Sequence, residues 1–319
     1  MMKQPLIPKE LVLFEGSQSD NDPSFLCLYE NKMVQEESAQ AAAAAFVKRL
    51  RDSPTTPKMV VFDKDGTLGD CTASLRRWVH HMTAKVESVL KHKNLTKQFH
   101  TQIGWDAARD NVVPSAPVAA GTWDDIVGLV YSFLMDLENE WNVTIITKEL
   151  TLQWHEELGD LHGQDTPLMD DLPGMMRACQ ELGYTVAICT SDDRNGTDKA
   201  MKGWGIDNVV QFSICGNEVS QGKPSAVPLQ TLCQQVSAET ATTILPQHCI
   251  VVGDTSSDTG MARAANAGFC VGVLTGSGTT SQLLDTGAHL ILPDVGHVPE
   301  LLETFQRLAD EARQQQVHQ

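Results

Sequence analysis

Positive charge is scarce in this sequence. Its 24 Lys and Arg stand against 41 Asp and Glu, for a formal net charge of −17. That balance excludes the basic footprint of a nucleic-acid binder and gives no hold on an anionic membrane surface. It also repels an anionic ligand at long range, so any anion site must bring its own metal, a well-placed lysine or helix N-termini. Long apolar runs are missing as well, and none approaches the roughly 18 residues of a membrane span. No compact basic-then-apolar signal pattern opens the chain. Glu10, Glu15, Asp20, Asp22 and Glu30 speak against an organelle transit peptide, so the expected location is the cytoplasm. The eight cysteines form no Cys-x-x-Cys pair, and several lie inside apolar runs such as Val186-Ala187-Ile188-Cys189. A free thiol there packs as a small hydrophobe, so a reducing compartment is expected and a disulfide scaffold is not.

The remaining composition, 41% hydrophobic and 20% charged over 319 residues, suits a soluble globular chain with a sizeable core in one large or two ordinary domains. Glu15 to Pro23 is polar and reads as a loop or disordered segment. Gln35 to Leu50, with its run of alanines ending in Phe46, Val47 and Leu50, predicts a helix packed on the core surface. From Ala73 to Thr166 the pattern is helical apart from a doubtful strand at Val143–Ile146. Leu75, Trp78, Val79, Met82, Val86 and Leu90 mark one apolar face, and Trp123, Ile126, Val127, Val130, Phe133 and Leu134 mark a second. From Asp170 onward, strands at 185–189, 209–214, 249–252, 270–273 and 289–292 alternate with helices. That rhythm predicts an α/β fold with a parallel sheet covered on both faces.

Four strand ends carry residues suited to phosphate chemistry. Val60-Val61-Phe62-Asp63-Lys64-Asp65-Gly66-Thr67 is an apolar run that stops abruptly in two carboxylates. It would deliver them to the edge where open α/β sheets bind ligands. One can attack a phosphorus atom while the other shuttles a proton. Ile188-Cys189-Thr190-Ser191 ends in hydroxyls able to bond a phosphate oxygen. Gly222-Lys223-Pro224 can present an ammonium inward, and Val252-Gly253-Asp254 is followed by Asp258. Taken singly, each also reads as ordinary structure: a turn after Asp63, a cap at Thr190, a solvated Lys223, a helix N-cap at Ser257 or Asp258. Four such matches at four successive sheet positions are hard to attribute to chance.

On these residues the chain resembles the haloacid dehalogenase superfamily, and specifically its phosphatases. Asp63-Lys64-Asp65-Gly66-Thr67, Thr190, Lys223 and Gly253-Asp254-x-x-x-Asp258 stand in that family's order. Leu182-Gly183-Tyr184 and Gly272-Val273-Leu274-Thr275-Gly276 are most similar to phosphoglycolate phosphatases. The resemblance implies a Rossmann-like catalytic core at 55–75 and 167–319. It implies a helical cap domain inserted at 76–166, behind an N-terminal extension at 1–54 that is partly disordered and holds one helix. It implies Asp63 as nucleophile, Asp65 as general acid and base, and Thr190, Ser191 and Lys223 as phosphate holders. Mg2+ would be bound by Asp63, Asp65 through its backbone carbonyl, Asp254 and Asp258. The implied substrate is a small phosphorylated metabolite, with 2-phosphoglycolate the first to try.

A phosphomutase would share every core motif, and a module that binds phosphate ligands without catalysis would share the fold. A dehalogenase needs neither Asp65 nor the metal-site acids, and an ATPase pump needs membrane spans. Lys64 stands where many relatives carry an apolar residue, and the sequence leaves its direction open. Asp192 and Asp193 follow the hydroxyl of Thr190 closely enough to touch the substrate or the cap domain, and helix capping is their simpler reading. His80, His81, Trp105 and Trp123 are conceivable substrate contacts, and Gly276-Ser277-Gly278 reads as a flexible loop. Nothing in the sequence sets an oligomeric state.

Overall fold

A computed structural model describes residues 12–15, 25–28, 36–53, 58–90, 95–113, 116–141, 148–158 and 166–317. Its centre is a sheet of six parallel strands: β1 (Met59–Phe62), β2 (Thr185–Cys189), β3 (Phe212–Ile214), β4 (Cys249–Gly253), β5 (Phe269–Val273) and β6 (Leu290–Leu292). Their order is β6-β5-β4-β1-β2-β3. The chain lays strands outward from β1 to β3, then returns to build the other half from β4. The direction therefore reverses between β1 and β4, the kind of switch point where doubly wound sheets open a crevice for ligands.

Successive side chains on a strand point to opposite faces, and here both faces are covered. Val60, Phe62, Val186, Ile188, Ile250 and Val252 pack with helices Glu36–Asp52, Leu172–Glu181 and Val298–Val317. Met59, Val61, Ala187, Cys189 and Val251 pack with helices Val227–Thr240 and Ser256–Ala265. This two-sided burial is why the strands read as continuous apolar runs. The helix expected near the N-terminus belongs to this core. The Phe46 ring lies tilted against Phe305 with centroids 5.2 Å apart, and Arg313 donates to the carbonyls of Leu50 and Arg51 at the helix end. Those carbonyls have no partner inside their own helix.

Two features differ from the sequence reading. Val12–Glu15 and Phe25–Leu28 pair as antiparallel strands in the stretch read as an extension with one helix; the polar segment between them lies outside the described residues. The strand expected at 209–214 is confined to Phe212–Ile214, because the amides of Val209 and Val210 donate to the Ile206 carbonyl and close a turn. The doubtful strand at Val143–Ile146 also lies outside the described residues.

Between β1 and β2 the chain makes a helical excursion with an apolar cluster of its own. Helices Thr72–Leu90, Thr96–Ile103, Trp123–Trp141 and Lys148–Glu156 supply Trp78, Met82, Phe99, Ile103, Val130, Leu134 and Trp154 to it. The excursion leaves and rejoins the sheet at one place, where Gly69–Asp70 pairs antiparallel with Thr166–Pro167. No helix among the described residues is long and apolar enough to cross a membrane.

Candidate active site

Asp63 is the first residue beyond β1 and Asp254 the first beyond β4, so the two strands flanking the switch point each end in a carboxylate. The Asp63 amide donates to the Val252 carbonyl at 2.8 Å, which ties these ends together. Lys223 immediately precedes a cis Lys223–Pro224 peptide bond. Its Nζ lies 2.6 Å from Asp63 Oδ1 and 2.6 Å from Asp258 Oδ1. Asp258 sits in the first turn of helix Ser256–Ala265, whose N-cap is Thr255 rather than Ser257 or Asp258. Asp258 Oδ2 accepts from the Thr255 amide at 3.0 Å and hydroxyl at 2.6 Å, while its other oxygen takes Lys223. One carboxylate thus closes a capping box and faces the site.

Asp254 is gripped on both oxygens. The Thr67 hydroxyl donates to Oδ1 at 2.9 Å, and the Ser277 amide donates to Oδ2 at 2.9 Å. Two glycines make room for it. A Cβ on Gly66, whose φ is +85°, would stand 2.6 Å from Asp254 Oδ2, and one on Gly276 would stand 1.9 Å away. The Gly276-Ser277-Gly278 segment, read from sequence as a loop, lies close around this buried carboxylate. Thr67 and the Ser277 amide are site groups that the sequence reading did not assign. The signal for Thr67 was present, since it belongs to the same strand-end peptide as Asp63.

Asp63, Asp254 and Asp258 each offer a carboxylate oxygen within 4.8 Å of the others, all buried. One ammonium pairs with two of these three carboxylates, Asp63 and Asp258. Burial, reinforced by the Asp258 charge, pushes the Asp63 pKa up to about 7. Burial, with the charges of Asp63 and Asp258, holds Asp254 well above the usual carboxylate range. Burial works against the Lys223 ammonium, yet the Asp258 and Asp63 carboxylates keep its pKa well above the ordinary lysine value. The donor set is all oxygen and carries excess negative charge, which fits a hard divalent cation.

Asp65, whose charge bears on Asp63, pairs with Lys64. Lys64 Nζ lies 2.6 Å from Asp65 Oδ1 and 3.0 Å from Asp192 Oδ2. The Lys64 side chain is wholly buried, and its Nζ stands 5.9 Å from the Trp204 ring centroid. Burial opposes its charge, but Asp65 and Asp192 outweigh burial and raise its pKa. Asp192 is thus not a helix cap. Its Oδ1 accepts from the Asp193 amide and its Oδ2 faces Lys64, while Asp193 caps helix Arg194–Gly203 through the Gly196 amide at 2.7 Å.

Thr190 follows β2. Its amide donates to the Ile214 carbonyl, and its hydroxyl accepts from the Asp192 amide at 3.1 Å, keeping its own proton to donate. Ser191 is half-buried beside it, with its carbonyl where a Cβ on Gly216 would lie. Neither hydroxyl bonds a carboxylate of the cluster among the described residues. In the insert, His80 pairs with Asp110, His81 bonds the Trp154 carbonyl, and Trp105 is buried in the helical cluster. Their partners all belong to the insert. The Trp123 side chain lies outside the described residues. Thr122, unassigned from sequence, approaches the site loops, its methyl 3.1 Å and 3.4 Å from the Cβ positions of Gly216 and Gly222.

Residues 57–266 match the sequence profile of the haloacid dehalogenase-like hydrolases. A phosphoglycolate phosphatase of Cupriavidus necator is 23% identical over 253 residues, which is 79% of this chain and 96% of that protein. One from Colwellia psychrerythraea is 26% identical over 102 residues, 32% of this chain; the match spans only 42% of that protein. Among solved structures, one described as a predicted phosphoglycolate phosphatase from Haemophilus somnus superposes with a TM-score of 0.56 at 17% identity. It covers 77% of this chain and 98% of that one.

Proposed function

The chain belongs to the haloacid dehalogenase-like hydrolases, and we propose that within them it hydrolyses a small phosphate monoester through a phosphorylated Asp63. The observation that carries this reading is Lys223, bridging Asp63 and Asp258 at 2.6 Å each, beside an Asp254 gripped by Thr67 and Ser277. A carboxylate on a strand end, with an ammonium at its oxygen and an all-oxygen cation site beside it, is equipped for phosphoryl transfer. That reaction needs positioning and charge neutralisation above all.

In the first step an Asp63 oxygen bonds to phosphorus as the bond from phosphorus to the ester oxygen breaks, and Asp65 gives its proton to the departing alkoxide. In the second, Asp65 takes a proton from water as the water oxygen attacks phosphorus, releasing inorganic phosphate and restoring Asp63. Lys223, Thr190 and Ser191 hold the phosphoryl oxygens. Asp63, Asp254, Asp258 and the Asp65 backbone carbonyl would hold Mg2+, which when bound offsets phosphoryl charge and favours the ionised carboxylate of Asp63. Residues 76–166 serve as a cap over this edge, a role supported by the approach of Thr122 to Gly216 and Gly222. The relatives' names make 2-phosphoglycolate the first substrate to try.

Phosphate release from 2-phosphoglycolate, sugar phosphates and nucleotides, followed with Mg2+ and with chelator, tests the proposal. Mg2+-dependent release that disappears in Asp63→Asn is expected. No release under any metal overturns it, and isomerised sugar phosphate without free phosphate would make the chain a mutase.

A further inference from the structure

Lys64 presents a puzzle that the mechanism above does not absorb. It separates the two aspartates of the strand-end peptide, its side chain is fully buried, and it reaches carboxylates on both sides. Burying an ammonium is unfavourable unless it is paired. Pairing with Asp192, itself 2% exposed, would satisfy that need alone. Stability gives no further reason for a lysine here, because apolar residues of similar volume replace buried ion pairs at little or no loss. What an apolar residue cannot do is donate a hydrogen bond to Asp65.

Asp65 is the partner that needs holding. Its side chain is 26% exposed at the sheet edge, so packing fixes it less than the buried carboxylates beside it. The Lys64 ammonium, with three protons to donate, grips Asp65 Oδ1 at 2.6 Å from a base fixed by Asp192. The indole of Trp204 closes another side. It lies near the ammonium and fills the space beside Gly69, where a Cβ would stand 2.2 Å from the ring. Lys64 therefore has little freedom to swing, and it passes that rigidity to Asp65.

We propose that Lys64, anchored by Asp192 and walled in by Trp204, is a positioning residue that holds the Asp65 carboxyl in the orientation for proton transfer. This rests on the proposed function, in which Asp65 protonates the leaving group. The signature is selective. An alkoxide is too basic to leave without a proton, whereas p-nitrophenolate leaves without one. Misplacing Asp65 must therefore slow phosphoenzyme formation from an alkyl phosphate far more than from p-nitrophenyl phosphate.

The test is single-turnover phosphoenzyme formation from 2-phosphoglycolate, or whichever alkyl phosphate the wild type accepts, and from p-nitrophenyl phosphate, with Mg2+ present. The variant is Lys64→Met/Asp192→Asn, which removes both charges and strands neither. Alkyl transfer is expected to slow about 10–100-fold and aryl transfer by no more than about 3-fold. In an Asp65→Asn background the same double change should add no further difference between the two esters. Lys64→Arg, which leaves both carboxylates paired but moves the donors, should show the same selectivity at about 3–10-fold and serves if the double variant does not fold. Equal slowing of both esters, or of neither, overturns the inference and leaves Lys64 a packing element. A wild-type chain that forms no phosphoenzyme from either ester overturns the proposed function itself, and this role with it.

Discussion

The sheet edge and the outer surface of the helical insert contain polar contacts to carboxylates of nearly the same length. Lys223 lies 2.6 Å from Asp63 and from Asp258; Arg76 and His80 lie 2.7 and 2.8 Å from Asp110. The difference is water. The side chains of the first set are 2–10% exposed, those of the second 41–58%. Solvent screens the outer pairs, so each adds only about 0–1 kcal/mol. At the sheet edge nothing screens, and removing one partner leaves a buried charge uncompensated. Distance alone thus says little about an ion pair, and burial decides whether it governs chemistry or only decorates a surface.

The sharpest way to break this contrast is at Asp63. Asp63→Asn should lower turnover by at least about 10⁴-fold, as loss of a covalent nucleophile does, and phosphate release under saturating substrate measures it. Lys223→Met comes next. It leaves buried Asp63 and Asp258 without their ammonium and should destabilise the metal-free protein by about 3–5 kcal/mol in urea. Mg2+ at about 100 times its Kd should return roughly 2.7 kcal/mol. A variant as stable as wild type in chelator would mean that the edge is wetter than its geometry.

A pH series sharpens the same point. The folded chain raises the Asp63 pKa to about 7, so the fold binds that proton more tightly than the unfolded chain does. The associated stability is present below the ordinary carboxylate range and is lost as pH rises through about 7. Metal-free wild type should therefore lose stability between about pH 4 and pH 7 relative to Asp63→Asn, compared by urea midpoints. Parallel profiles would count against a desolvated Asp63. The smallest effect belongs to the outer surface. His80→Ala should change stability by less than about 1 kcal/mol and leave KM unaltered. A raised KM would return His80 to the substrate contacts that its sequence position first suggested.

The same contrast explains what the sequence made legible. Val60-Val61-Phe62 and Ile250-Val251-Val252 announce buried strands because both faces of the sheet are covered, and the abrupt change to Asp63 and Asp254 announces their edge. Asp192 was illegible for the opposite reason. Next to Asp193 it looks like one of two caps, and only the neighbouring strand brings Lys64, 128 positions earlier, to claim it. Gly276 and Ser277 read only as loop residues, because their closeness to Asp254 depends on a strand end more than 20 positions earlier. The pairing of Val12–Glu15 with Phe25–Leu28 was missed because runs of four residues are too short to separate a strand from other apolar segments.

The ladder of Gly69–Asp70 with Thr166–Pro167 has a consequence for how such a protein can change. Neighbouring strands lie about 4.8 Å apart, so the helical excursion begins and ends within one strand spacing and hangs from a single point. Exchanging it for another segment with equally close ends would leave the sheet, its two packed faces and the carboxylate cluster in place. A lineage could thus exchange the excursion as one transplantable piece, while the sheet edge is inherited unchanged.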